Sequence, residues 1–96
     1  PPTANADEVE KARAFAQAAV TEMRLQQGWD HLGEMGIERD MKAVPRMMKW
    51  VCDDVMIEEK MKMEELGVDK KNLRKAVGEM ARDWFLKRLG EGADRE

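Results

Sequence analysis

The sequence has no serine and no tyrosine, a single histidine (His31), a single cysteine (Cys52) and only two threonines, Thr3 and Thr21. Most nucleophile–base pairs are excluded at once, because the side chains that supply hydroxyl nucleophiles and imidazole bases are nearly missing. A structural zinc site needs about four cysteine or histidine ligands, and two such residues exist. One cysteine cannot form an internal disulfide, so a reducing, cytoplasmic location is expected. No apolar run approaches the ~18 residues of a spanning helix. The longest uncharged stretch, between Arg13 and Glu22, is short and rich in Ala and Gln. Nothing resembles a secretory signal. The chain begins Pro1-Pro2 without methionine, as expected of a processed or trimmed polypeptide. Strand signals are also scarce: β-branched residues are few, no two-residue alternation is sustained, and no hairpin turn pair occurs. Neither an internal repeat nor a sustained heptad is present.

What remains is 96 residues, 43% hydrophobic and 39% charged, with a net charge of −3. That balance is too apolar for a disordered chain and too charged for a membrane protein. The length suits one domain with a modest core and a radius of gyration of roughly 12–13 Å. Ala, Glu, Lys, Arg, Leu and Met dominate, all good helix formers. The expected fold is all-α: a compact bundle of three to four helices with a Gly-rich loop after the first. Residues 6–90 form the domain, between a flexible N-terminus (1–5) and a flexible tail (91–96).

The first helix is expected from Ala6 to Gln27. Asn5 serves as N-cap, Glu8 gives a capping-box-like start, and Val9, Ala12, Ala16, Val20 and Met23 fall on one face. Gly28 ends it. Gly28, Gly33 and Gly36 then mark a packed loop anchored by Trp29 and Leu32, followed by a brief helix from Ile37 to Val44 that Pro45 breaks. The next helix, Arg46 to Leu66, carries two apolar stripes. Val44, Met48, Val51, Cys52 and Val55 make one; Trp50, Ile57 and Met61 make another, rotated by well over ~100°. Two stripes imply a central helix, or one whose second face meets another chain. Gly67 caps its end. The last helix starts at Asp69, stapled by Val68 and Leu73, buries Leu73, Val77, Met80, Ala81 and Trp84, and ends at Gly90.

Candidate chemistry is thin. Cys52 lies on an apolar helix face, where a buried, inert thiol is expected, and His31 sits among glycines in a solvent-facing or capping position. The carboxylates at Asp53-Asp54, Glu58-Glu59 and Glu64-Glu65 alternate with lysines as a solvated face does, without the Glu-x-x-His pairs of a helical di-metal site. The glycines match no phosphate loop. The reading is a non-enzymatic protein with no cofactor, metal or catalytic residue.

Charge is uneven. From Asp69 to Leu89 seven cations (Lys70, Lys71, Arg74, Lys75, Arg82, Lys87, Arg88) face three acids, which raises the prospect of an anionic partner. Leu66-Gly67-Val68-Asp69, followed by Leu73 and Ala76-Val77, resembles the helix-turn-helix of bacterial repressors over roughly twenty residues. The resemblance implies DNA contacts from Lys70, Lys71, Arg74 and Lys75 at the start of a recognition helix. The chain departs from the family at Met63, where a small residue is usual, at Lys62 in a buried position, and at Glu64 and Glu65, which would face phosphates. An ordinary helix–Gly–helix connector gives the same pattern. Membrane-surface binding is disfavoured because the basic residues of the last helix are not separated from its acids.

The nine methionines suit either irregular cores or adaptable interfaces. Met48 and Met80 are expected in the core. Met47, Met56, Met61 and Met63 lie off the main stripe, so some of them belong at the surface. The surplus of apolar surface points to association with another protein or a second copy of the chain, in a regulatory, adaptor or inhibitor role. Trp50, Ile57, Met61, Phe85 and Leu89 are the expected interface residues.

Overall fold

Residues 5–95 are described by a computed structural model, with side chains described for 5–92. Five α-helices make up the described chain: α1 (Ala6–Ala19), α2 (Glu22–Glu34), α3 (Val44–Glu58), α4 (Lys60–Leu66) and α5 (Lys70–Arg95). One 3-10 turn, Met41–Ala43, precedes α3, and no strand occurs among the described residues. The all-α expectation holds. Of the expected flexible N-terminus, residues 1–4 lie outside the described region, as does Glu96 of the tail.

Several expected boundaries move. Ala6–Gln27 is not one helix. Thr21 interrupts it by accepting the Arg24 amide hydrogen at its Oγ1 (3.1 Å), which starts α2. Gly28 ends nothing: it lies buried inside α2, where Met47 and Trp50 of α3 stand 3.0 Å from the place a Cβ would take. Gly33 is helical too, so only Gly36 (φ 71°) belongs to a loop, and the expected Gly-rich loop is mostly helix. Pro45 begins α3 rather than breaking a helix, because a first-turn residue needs no amide hydrogen. The long helix over 46–66 is two helices, with Glu59 (φ −109°) out of helical geometry between them. At the other end α5 runs past Gly90 to Arg95.

Other caps fall where local chemistry puts them. Asn5 accepts the Asp7 amide hydrogen, and Asp69 accepts that of Asn72, each at 2.8 Å. Gly67 (φ 66°) closes α4 in left-handed geometry, with the Val68 amide donating back to Met63 at 2.9 Å.

The core sits where α5 packs against α3 and α1, with α2 laid over α3. Leu73, Val77, Ala81 and Phe85 of α5 are wholly buried, as are Met47, Val51 and Val55 of α3. Cys52 packs in the same cluster, and no polar residue is buried among the described ones. A tryptophan cluster ties α2 to the far end of α5. Trp29 meets Trp84 edge-on at 5.9 Å and Phe85 at 5.2 Å, with Arg39 and Arg88 placed over its ring at 4.8 and 5.0 Å. The Trp84 indole donates to the Glu22 carboxylate. The radius of gyration, 14.3 Å, exceeds the sequence expectation because one 26-residue helix alone spans about 39 Å.

A candidate binding groove between α1 and α4

The helices α1 and α4 run antiparallel. At one end the Lys11 ammonium donates to the Leu66 carbonyl at 3.2 Å. At the other, Arg24 donates to the Ala19 carbonyl (2.6 Å) and lies 3.9 Å from Glu59. Between these ends the two helices leave an open groove of about 540 Å³. Ala14, Phe15, Ala18 and Ala19 form the α1 wall, with Lys11 above; Glu59, Lys62, Leu66 and Val68 form the other. Its volume falls within the range of ligand-binding clefts. The local cause is the composition of α1: alanines on several sides of the helix bury one row in the core and leave Ala14 and Ala18 exposed on another.

The α3–α4 ridge that forms the second wall also carries bare apolar side chains. Ile57 is 77% exposed and Met61 82% exposed, spaced four residues apart. Arg24, in the first turn of α2, bonds Asp54 (2.7 Å) and reaches as far as Glu59 (3.9 Å), and Ile57 and Met61 lie off that contact. Trp50 lies before that point and is half-buried, stacked near His31 at 5.5 Å. Leu89 is half-buried against the core.

Phe85 belongs elsewhere. It is wholly buried against Trp29, so it is a core residue and is withdrawn from the interface set. Met47 and Met63, off the main stripe in sequence, are also buried, and Met48 and Met80, expected in the core, are half-buried at its edge. The break at Glu59 turns the stripes expected of one uninterrupted helix over 46–66. Sequence reasoning missed the groove, since it read α1 as a single-faced helix. The signal was there in the second alanine row flanking Phe15.

The four basic residues at the start of α5 share one arc of it, positions 70, 74, 71 and 75 spanning roughly 140° of the helix circumference. Lys70, Lys71, Arg74 and Lys75 are all exposed, and none forms an ion pair among the described residues. Lys70 and Arg74 border a recess of about 190 Å³ on the α4 side, together with Lys60 and Glu64. Lys75 borders a different one, between α5 and α1, beside Arg13 and Glu79.

Cys52 and His31 have separate neighbours. The thiol donates to the Arg74 carbonyl at 3.6 Å, and burial, with Asp53 nearby, pushes its pKa up from the ordinary value despite Arg74 and Lys49. A thiol so placed stays protonated at neutral pH and is a poor nucleophile. Among the described residues no group of three or more His, Cys, Asp or Glu is arranged to hold a metal ion. No helix among them is long and apolar enough to cross a membrane. No family model, curated protein or solved structure matches the chain.

Proposed function

We propose that this chain is a non-enzymatic protein-binding module of regulatory, adaptor or inhibitor type, acting in a reducing cytoplasmic setting through the α1–α4 side of its bundle. One observation carries the reading. An apolar groove is bounded by the same ridge that leaves Ile57 and Met61 almost fully in water. Scattered apolar side chains are normal on protein surfaces, but a groove next to an uncovered ridge is the kind of surface that marks an interaction site. Covering a side chain of this size is worth roughly 1.5–3 kcal/mol, so a partner seated on Ile57, Met61 and Leu66 gains several such increments. The partner is another protein or a second copy of the chain.

The test is the double substitution Ile57→Ala with Met61→Ala. Both side chains protrude into solvent, so helix content and melting midpoint should stay as in the parent, within about 2 °C. Association, followed by sedimentation of the chain alone and with cell extract, should weaken. A double variant that melts far below the parent would place the two residues in the core and end the reading.

One observation favours a second reading, duplex DNA binding: the four cations at the start of α5 are exposed and unpaired. The net charge of −3 over the whole chain weighs against it.

A further inference from the structure

We infer that the start of α5, with the recess between it and α4, docks a short acidic segment of a partner protein that carries one large apolar side chain among its carboxylates. The surface is separate from the Ile57–Met61 ridge and from the α1–α4 groove, so the inference goes beyond the protein-binding reading. Charge selects the acids. Lys70, Lys71, Arg74 and Lys75 lie along about 7.5 Å of α5, and Lys60 of α4 lines the recess with Lys70 and Arg74. All five are exposed, and none has a carboxylate within 4.0 Å among the described residues. Three acids border the same surface. Glu64 lines the recess, Glu79 lies beside Lys75, and Asp69 already accepts the Asn72 amide hydrogen. The flanking charges of α1 and α3 are ion pairs that cancel, Arg13 with Glu10 at 3.2 Å and Lys49 with Asp53 at 2.6 Å. With each group counted once, the cations outnumber the acids and the surface stays positive.

Shape selects a protein segment. The recess, about 190 Å³, has Met56, Met63 and Val68 for its apolar lining and the three cations with Glu64 for its rim. It is smaller than the ~300–1,000 Å³ of small-molecule clefts and suits a single side chain, to which the two methionines can adapt. A purely acidic strand would leave it empty. Nucleic acid fits less well, because no residue lining this recess or the one beside Lys75 is aromatic and none can stack a base. Glu64 and Glu79 would also stand against the continuous phosphates of a duplex, whereas a peptide can space its carboxylates to avoid them.

The probe is a short, labelled synthetic peptide of Asp and Glu with one central leucine, titrated with the full chain by fluorescence anisotropy. It should bind at low salt and weaken as salt rises. Lys71→Glu with Arg74→Glu should weaken it roughly tenfold or more, with an unchanged melting midpoint, since acids suit the early turns of a helix. If that midpoint falls, Lys71→Gln with Lys75→Gln takes its place, with a loss of about threefold. Lys42→Glu with Lys87→Glu makes the same change in net charge at exposed positions elsewhere and should leave affinity near the parent's. Ile57→Ala with Met61→Ala should leave it unchanged too, which separates this surface from the ridge. Replacing the peptide's leucine by glycine should cost roughly tenfold. Equal weakening by the control pair would reduce the attraction to net charge and overturn the site. A lysine peptide that binds as well overturns the charge assignment, and a leucine-free acidic peptide that binds as tightly overturns the recess. A labelled duplex that binds tighter and displaces the peptide makes nucleic acid the occupant and overturns the inference. So does an absence of peptide binding at low salt, while the protein-binding reading then still stands or falls on the Ile57/Met61 variant.

Discussion

Gly28 and Gly90 both lie inside helices with ordinary negative φ, yet their surroundings differ. Around Gly28 the Met47 sulfur and the Trp50 ring leave no room for a methyl group, while nothing lies within 4 Å of a Cβ at Gly90. Alanine at either site gains about 0.5–1 kcal/mol of helix propensity. At position 28 overpacking of roughly 1–3 kcal/mol outweighs that gain. Gly28→Ala should therefore lower, and Gly90→Ala raise, the urea midpoint. Two shifts of the same sign would show that α2 and α3 are not held so closely. In sequence both glycines read as helix ends. Position 28 is glycine because a neighbouring helix comes close, and no local pattern reports that.

Arg24 shows how one side chain organises two elements. Its Nη1 donates to the Ala19 carbonyl at the end of α1, its Nε bonds Asp54 on α3, and its own amide is capped by Thr21. The Arg24–Asp54 pair is largely shielded from solvent, at 15% and 24% exposure. Charge-assisted bonds of this kind contribute about 1.5–3 kcal/mol. Arg24→Ala should cost that much in denaturant unfolding and should speed amide exchange in the last turn of α1 before the rest of the domain. Loss of stability without that local opening would remove Arg24 from its role at the corner. Thr21, a good N-cap type, was the sequence signal for this corner, but the glycine seven residues on was the stronger punctuation. Pro45 was misread for a related reason: the same residue breaks a helix interior and suits a helix start.

At the scale of the molecule, charge and shape decide what the basic stretch can do. A duplex-binding face that used Lys70, Lys71, Arg74 and Lys75 together would give a plot of log K against log salt with a slope of about −3.6. On the protein-binding reading this face holds no duplex, and any residual binding should show a slope well short of that value. Titrating a labelled duplex at several salt concentrations measures this. A slope near the full value would restore the recognition-helix reading. The net charge of −3 opposes tight non-specific binding in either case.

The chain's composition and spacing were enough to determine the all-α class, the burial of Val44, Val51, Cys52 and Val55 on α3 and of Leu73, Val77 and Ala81 on α5, and the caps at Asn5, Gly67 and Asp69. Each of these depends on neighbours within a turn or two, and that is the range a linear pattern encodes. Tertiary structure decided the rest: that Phe85 lies inside against Trp29, that Trp50 is half-buried while Ile57 and Met61 are exposed, and that the alanines of α1 line a groove. These outcomes depend on how α2 lies over α3 and how closely α1 approaches α4. Distances of that kind arise between residues tens of positions apart, and only packing fixes them.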